Sequence, residues 1–351
     1  MNDGYFKEKV EAIKVNKKSI SQLLEDMKKT GFQGRKLAEA AENWERMIKD
    51  PDLTIVMGYA GSLSTTGQWK IVNWLIENRY IDALVSTGAN ISEDIVEAMG
   101  YSYWKGTHAT DDSALFTAGI NRYYDVYGKE PDYMKMTELI AEFIMTLESG
   151  RPYSTREFLY LCGKWLGEKG IESIVATAAK HGVPVFCPAI ADSPYGDAAL
   201  IAKSKGFNLI LDAVGEYTDL MKMSGKTKDV GVIYIGGGVP KDFIQLLAVT
   251  ADLMYKDREV PGRTSKSREG TDETYYPHKY AIQLTTDSPQ WGGLSGCTFE
   301  EATSWGKETM EGRNVACYGD ATISLPIIVH ALAERIGTKR KGVDFSDTFQ
   351  K

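Results

Sequence analysis

The sequence lacks the features that define several large protein classes. No apolar run approaches the roughly 20 residues of a membrane-spanning helix, and the charged N-terminus has no apolar segment typical of a secretory signal. The four cysteines form no CxxC pair, and the four histidines show no HExxH spacing. We therefore expect no membrane association, no disulfides and no bound metal, and we predict a cytoplasmic protein with free thiols.

The sequence also has no excess of positive charge. Its 351 residues include 41 Lys and Arg against 48 Asp and Glu, which gives a formal net charge of −7. Nucleic-acid binding usually needs a basic surface, so a nucleic-acid partner is not expected, whereas cationic partners are compatible with this charge. With 43% hydrophobic residues, the chain is long enough to bury a sizeable core.

Short apolar runs alternate with helical patterns along the chain. Leu53–Met57 and Ala83–Ser86 read as buried strands, with an amphipathic helix between them that begins at Trp69. Further strands are predicted at residues 183–186, 230–235, 280–284 and 314–317. This alternation predicts an α/β fold, with a doubly wound, mostly parallel Rossmann-like sheet and helices on both faces.

Two parts of the chain lie outside the predicted alternation of strands and helices. Two helices between Ser19 and Lys49 suggest an N-terminal helical extension, residues 1–50, ahead of a catalytic domain at 51–351. The stretch Asp257–Lys279 is rich in charge, Gly and Pro. We expect it to be a surface loop or lid, and a tolerated insertion is the plainer alternative.

Small residues follow several of the predicted strands, at Gly58–Gly67, Thr87–Asn90, Gly236–Gly238 and Gly319–Asp320. In open parallel sheets, ligands bind beyond the carboxyl ends of the strands. Missing side chains let backbone N–H groups approach a pyrophosphate. The GxGxxG motif is absent, so the spacing alone leaves a dinucleotide site and tight packing turns equally open.

Lys307 follows Trp305 and Gly306 at the end of a short helical pattern with acids upstream. A desolvated lysine in such a setting can form a Schiff base. On the pattern alone, a surface lysine whose aliphatic stem packs against the protein is the simpler interpretation.

An ordered set of motifs resembles the deoxyhypusine synthase family from Thr30 to the helix after Asp320. The pieces that carry the resemblance are Gly58-Tyr59 with Gly67, Ser92-Glu93-Asp94, Gly119-Ile120-Asn121-Arg122, Pro184-Val185-Phe186 with Pro188-Ala189, Asp192 with Gly196-Asp197, Gly236-Gly237-Gly238-Val239, Ser304-Trp305-Gly306-Lys307 and Asp320-Ala321. The resemblance implies a homotetramer that binds NAD at a subunit interface. It also implies oxidation of spermidine, an aminobutyl imine on a lysine, and delivery to a lysine of translation factor 5A.

The resemblance also implies roles for individual residues. Lys307 would be the imine-forming nucleophile. Residues that would contact NAD are Gly61, Ser62, Leu63, Ser64, Thr65, Thr87, Gly88, Ala89, Glu93, Asp192, Gly238, Thr286, Asp287, Asp320 and Ala321. Asp197, Glu301 and Trp305 would hold the amine, by charge-assisted hydrogen bonds and by contact with the indole face. Without the resemblance, Asp192 and Asp320 read as helix caps and Glu301 as a solvated acid.

The sequence departs from the family at four amine-site positions. Ser92 stands where a second Glu is usual, Phe243 where a His is usual, and Trp291 and Leu294 where Asp is usual. We therefore expect an NAD-dependent aminoalkyl transferase acting on small polyamines or diamines, like the homospermidine-forming branch. The alternatives are a true deoxyhypusine synthase acting on a protein lysine, a non-catalytic NAD- or polyamine-binding protein, and amidine or guanidine chemistry on the same scaffold.

Overall fold

The computed structural model describes residues 7–271 and 273–349. The helices are α1 (Ile20–Lys28), α2 (Phe32–Lys49), α3 (Trp69–Glu77), α4 (Glu93–Ala98), α5 (Asp112–Thr117), α6 (Glu130–Ile144), α7 (Thr155–Glu168), α8 (Ile174–His181), α9 (Pro194–Ser204), α10 (Ala213–Ser224), α11 (Gly238–Val249), α12 (Phe299–Ser304) and α13 (Ala321–Arg335). The strands are β1 (Leu53–Tyr59), β2 (Ala83–Ser86), β3 (Trp104–Lys105), β4 (Ile120–Tyr123), β5 (Val126–Lys129), β6 (Pro152–Ser154), β7 (Val185–Phe186), β8 (Ile210–Asp212), β9 (Asp229–Ile235), β10 (Lys266–Ser267), β11 (Thr274–Tyr275), β12 (His278–Thr285) and β13 (Glu308–Tyr318).

Six strands form the central sheet in the order β13-β12-β9-β1-β2-β7, and every neighbouring pair is parallel. The chain builds one half outward from β1 through β2 to β7, then returns to β9 and builds the other half. Strand order therefore reverses between β1 and β9, which pair from Leu53 with Asp229 to Tyr59 with Ile235. This is the doubly wound Rossmann-like arrangement, so the predicted fold class is confirmed.

Helices cover both faces of the sheet because alternate strand residues point to opposite sides. One cluster of buried side chains includes Ile55 and Met57 of β1 and residues of α2, α3 and α13. The other includes Val56, Val232 and residues of α10 and α11. Leu24 of α1 and Trp44 of α2 belong to the first cluster, so the N-terminal helices share the core of the sheet. The division of the chain at residue 50 stays a prediction.

The strands predicted from apolar runs occur, and most differ from the prediction by a few residues in length. Ala83–Ser86 has the predicted bounds, and the last strand extends from the predicted 314–317 to Glu308–Tyr318. Sequence patterns did not indicate the small antiparallel sheet β3-β5-β4, whose strands are short and only partly buried. Within the described ranges, no helix has the length and apolarity needed to cross a membrane.

The polar stretch Asp257–Lys279 is anchored as well as exposed. It carries the antiparallel hairpin β10–β11, whose residues are partly or fully exposed. Val260, Arg263 and Tyr276 of the same stretch are buried. The Arg263 guanidinium donates to Ser224 Oγ at 2.9 Å and to Leu247 O at 2.6 Å, which fixes the base of the stretch to α10 and α11.

Candidate active site

The predicted cofactor residues lie beyond the carboxyl ends of all six central strands. They follow the strands as Gly61–Thr65 after β1, Thr87–Ala89 and Glu93 after β2, Asp192 after β7, Gly238 after β9, Thr286–Asp287 after β12 and Asp320–Ala321 after β13. The fold thus gathers residues that are far apart in sequence along one rim, on either side of the point where strand order reverses.

The turns after β1 and β2 are held together by hydrogen bonds. Thr87 Oγ1 donates to Gly61 O at 2.7 Å, and Asn90 Oδ1 accepts from Leu63 N at 2.6 Å and from Ser64 N at 3.3 Å. Asn90 Nδ2 donates to Tyr59 O at 3.1 Å. This amide therefore fixes the shape of the turn that would contact NAD.

Glu93 brings a buried carboxylate to this rim at the start of α4. Its side chain accepts hydrogen bonds from Ser62 Oγ and from the Tyr123 hydroxyl, and the residue is 4% exposed. Burial raises the pKa of Glu93 to about 7. A carboxyl with few protein donors at a ligand-binding rim is suited to accept hydrogen bonds from ligand hydroxyls.

The glycines of the rim provide the room that a dinucleotide needs. A Cβ added at Gly61 or Gly319 would meet no atom within 4 Å, so each backbone is open to a ligand on that side. Gly88 is different, because an added Cβ would lie 2.3 Å from Ser193 Oγ. Gly88 therefore packs the β2 exit against the loop before α9. The open glycines, the adjacent hydroxyls and the N-termini of helices at the rim fit NAD.

The acids after the outer strands are partly engaged in local turns. Asp287 Oδ1 accepts from Ser288 N at 2.8 Å, and its other oxygen accepts from Ser295 Oγ. Asp320 caps α13 by accepting from Thr322 N at 2.7 Å. The capping interpretation of Asp320 is thus observed, and it leaves its second carboxylate oxygen for a ligand. Asp192 is exposed.

Lys307 lies on the face of the sheet covered by α11. Its side chain is 14% exposed, and Nζ lies 3.0 Å from Asp242 Oδ1 and 3.1 Å from Gln245 Oε1. The same nitrogen is 5.6 Å from the centroid of the Trp305 ring. Lys307 is therefore held against the first two turns of α11 instead of extending into solvent.

A second lysine, Lys241, is fully buried close to this site. Its Nζ donates to Gln283 Oε1 at 3.0 Å and to Cys297 O at 2.6 Å, beneath the rings of Tyr234 and Phe299. Burial lowers the pKa of Lys241. Because both acceptors hold the amine inside the protein, Lys241 is placed to support the site more than to meet a substrate.

The three predicted amine-binding residues are not all brought together. Glu301 and Trp305 are exposed on and just after α12, six and two residues before Lys307 in the chain. Asp197 is exposed in the first turn of α9, on the β7 side of the sheet. In the described part of the chain, no hydrogen bond or ion pair connects Asp197 with Lys307.

The four departures from the family have visible consequences. Ser92 Oγ donates to Gly88 O at 2.8 Å inside the protein, and Phe243 packs near the rings of Phe186 and Tyr217. Trp291 is exposed and Leu294 is partly buried. None of these side chains provides an anionic group for an amine, so the site is poorer in acids than the family pattern.

Sequence reasoning missed the residues of α11 that surround the two lysines. Lys241, Asp242 and Gln245 follow the glycine triplet directly, at the start of a predicted helix. Charged residues on a helix that packs against an otherwise apolar sheet could have indicated that this turn belongs to a functional site. Only the tertiary structure, however, shows that this turn contacts a lysine 62 to 65 positions further along the chain.

Together, these observations define a Rossmann-type α/β protein with a largely buried lysine on the α11 face of its sheet. A family model described as deoxyhypusine synthase matches residues 22–332. The chain belongs to the deoxyhypusine synthase family, whose members are NAD-dependent aminobutyl transferases.

Curated relatives cover nearly the whole chain. A protein of Methanosarcina mazei named "Probable deoxyhypusine synthase 2" is 43% identical over 338 residues, 95% of this chain and 92% of the relative. A "Deoxyhypusine synthase-like protein" of Elusimicrobium minutum is 36% identical, over 97% of this chain and 88% of the relative. Among solved structures, "a putative deoxyhypusine synthase" from Entamoeba histolytica matches in fold with a TM-score of 0.62 at 18% identity, over 93% of this chain and 98% of that one.

Proposed function

We propose that this protein is an NAD-dependent aminoalkyl transferase that moves an aminobutyl-type group between small polyamines through an imine on Lys307. The observation that carries the proposal is the environment of Lys307, which is largely buried and paired with Asp242 of α11, the helix that begins at the rim residue Gly238. An amine in this setting is protected from bulk water and has a proton acceptor within hydrogen-bonding distance.

The cofactor would be held by the rim residues described above. Backbone N–H groups of Gly61, Ser62, Gly88 and Ala89 would bind phosphates, and Glu93 would accept hydrogen bonds from ligand hydroxyls. When bound, NAD supplies the hydride acceptor for oxidation of the donor amine and the hydride donor for reduction of the product.

Lys307 and Asp242 would carry the group between donor and acceptor. Lys307 Nζ, once its proton has passed to the Asp242 carboxylate, attacks the imine carbon of the oxidised donor. The new bond joins Nζ to that carbon, and the bond to the departing amine breaks as the proton returns to that amine. An acceptor amine then displaces Lys307 by the same exchange in reverse.

The altered amine site supports a small substrate. Charged hydrogen bonds contribute about 1.5–3 kcal/mol each, and an uncharged or apolar side chain now occupies four positions where the family usually has Glu, His or Asp. Asp242 is engaged with Lys307, and Asp197 lies apart on α9, so Glu301 is the predicted amine-binding acid that remains near the lysine in the chain. This reduced set favours amines with few nitrogens, including diamines.

A second candidate, modification of a lysine on translation factor 5A, is supported by the name of the Methanosarcina relative. The exposed Trp305, whose ring centroid lies 5.6 Å from Lys307 Nζ, offers apolar surface beside the site.

The two functions separate in one experiment. The protein is incubated with NAD and a panel of diamines and polyamines, with and without translation factor 5A, and the products are identified by mass spectrometry. New small polyamines formed in the absence of the protein acceptor support the proposal. An aminobutyl mass found only on the protein acceptor would support the second candidate. Binding of NAD and amine without any product would contradict both.

A further inference from the structure

Two acceptors of different charge hold the amine of Lys307. Asp242 Oδ1 lies 3.0 Å from Nζ, and Gln245 Oε1 lies 3.1 Å from it. The Asp242 side chain is 51% exposed, whereas Gln245 is fully buried. Asp242 can take up the proton of the amine, and the Gln245 amide cannot. Gln245 is therefore the acceptor whose charge stays the same whether the amine is protonated or neutral.

The two ends of the Gln245 amide face different groups. Its oxygen accepts a hydrogen bond from Lys307, and its nitrogen, Nε2, is buried and forms no hydrogen bond within the usual limits in the described part of the chain. Burial raises the pKa of the Tyr234 hydroxyl, and the interaction of that hydroxyl with the same amide acts against the rise. Such an effect comes from a donor, so the N–H side of the amide is directed toward the phenol oxygen.

The hydrogen of the Tyr234 hydroxyl is directed away from Gln245. Tyr234 Oη lies 3.4 Å from Glu308 Oε1, which also lies 3.2 Å from His278 Nδ1, and all three residues are buried. A carboxylate only accepts hydrogen bonds, so the hydroxyl donates to Glu308 and keeps its lone pairs for the Gln245 amide. This order of donors and acceptors leaves the Gln245 oxygen facing Lys307.

We propose that Gln245 is a positioning residue for Lys307, which holds the amine through Oε1 while Tyr234 fixes the orientation of its amide. This inference rests on the proposed function, because it concerns the amine that would form the imine. A neutral acceptor suits this role, since it stabilises the charged form of the amine less than a carboxylate does. A second carboxylate at this position would keep Lys307 protonated and therefore unreactive.

The reactivity of the amine tests this role without NAD or an amine substrate. The full chain is methylated with limiting formaldehyde and cyanoborohydride at a series of pH values, and peptide mass spectrometry compares Lys307 with the exposed Lys203. Gln245→Glu should lower the relative reactivity of Lys307 at neutral pH at least about tenfold and move its pH profile upward by about one pH unit, because a second carboxylate stabilises the protonated amine. Gln22→Glu, which adds the same charge on the exposed surface of α1, should behave as the wild type.

A double-mutant cycle tests the contribution of Tyr234. Gln245→Met removes the acceptor at a similar volume and should move the pH profile of Lys307 downward, since the protonated amine loses a partner. Tyr234→Phe should move the profile in the same direction by a smaller amount. If Tyr234 acts through Gln245, adding Tyr234→Phe to Gln245→Met should cause no further shift. A shift that persists in full in the double variant would overturn the role of Tyr234.

Three outcomes would overturn the role of Gln245. The first is a folded Gln245→Glu protein with the wild-type pH profile. If that variant does not fold, an unchanged profile in Gln245→Met has the same meaning. The third is a wild type in which Lys307 is unreactive at every pH. Failure of the proposed function has a different signature, since the variants would still differ toward formaldehyde while the wild type would form no adduct at Lys307 with NAD and any amine.

Discussion

Lys307 Nζ lies 3.0 Å from Asp242 Oδ1, although the two residues are 65 positions apart in the chain. The Asp242 side chain is 51% exposed and that of Lys307 only 14%. The ion pair therefore connects a sheltered amine with a carboxylate that reaches solvent. This relationship gives the proposed nucleophile both a proton acceptor and a route for the proton to leave.

Asp242→Asn should slow formation of the Lys307 imine about a hundredfold, within the usual range for loss of a general base. The amide can still accept a hydrogen bond from the lysine but cannot take up its proton. The rate is measured in a single turnover with saturating NAD and amine. Glu300→Gln, which removes an exposed acid from nearby α12, is the matched control and should retain the wild-type rate. An unchanged rate in Asp242→Asn would remove this carboxylate from the mechanism.

Gly319→Ala should weaken NAD binding without loss of stability. A Cβ at Gly319 would meet no protein atom within 4 Å, so the protein tolerates it, but the methyl group would occupy the rim where the cofactor is expected. Gly337→Ala is also free of contacts and lies beyond α13, away from the rim. Titration of both variants with NAD, together with their melting temperatures, checks the prediction. Equal NAD affinities in the two variants would place the cofactor elsewhere.

Glu93→Gln should reduce the pH dependence of stability in the absence of NAD, and the buried Asp94 and Glu216, whose pKa values burial also raises to about 7, should leave a smaller slope. The folded carboxyl has a pKa of about 7, against an ordinary value of 4.5. Between these pH values the folded state binds more protons than the unfolded state, so the free energy of unfolding falls as pH rises. The conversion of about 1.4 kcal/mol per pKa unit sets an upper limit of about 3 kcal/mol for this residue.

Denaturant unfolding between pH 5 and pH 8 measures this slope. Glu77→Gln, a change to an exposed acid on α3, should follow the wild-type curve. If Glu93→Gln lost stability as steeply as the wild type over this interval, the carboxyl would not be the buried titrating group described here.

Arg263→Ala should destabilise the protein by about 2–4 kcal/mol, because several buried acceptors lose their donor. The guanidinium donates to Leu247 O and Ser224 Oγ, and also to Tyr276 O at 3.1 Å. Arg268→Ala removes an arginine of the same stretch whose partner Glu273 is also exposed, and it should change stability little. The melting temperatures of the two arginine variants, measured by thermal unfolding, test this difference. Equal melting temperatures would mean that Arg263 does not anchor the stretch.

The sequence was most informative where one residue type decides the local structure. Apolar runs such as Ala83–Ser86 predicted strands because a strand buried on both faces leaves no room for polar side chains. The turns of small residues predicted a ligand-binding rim because missing side chains leave backbone N–H groups open to a ligand, and the binding itself stays a prediction. The resemblance to a family then directed attention to Lys307, which the local pattern alone did not distinguish from a surface lysine.

The other contacts of the candidate site could not be predicted from the sequence, because they depend on tertiary packing. No local pattern relates Asp242 to Lys307 or Glu308 to His278, because each pair meets only when elements distant in the chain pack together. The polar composition of Asp257–Lys279 indicated a surface segment, yet Arg263 is buried there because carbonyl and hydroxyl oxygens satisfy its donors. Composition records the average polarity of a stretch and does not show which of its polar groups find partners.

The central claim is that a substrate carbon becomes bonded to Lys307, and trapping with borohydride tests it directly. The protein is incubated with NAD and each amine of the panel, reduced, digested and mapped by mass spectrometry. We predict an adduct mass on Lys307, none on the fully buried Lys241, and no adduct or turnover in Lys307→Ala. Turnover that persists in Lys307→Ala, or an adduct that maps to Lys241, would contradict the account.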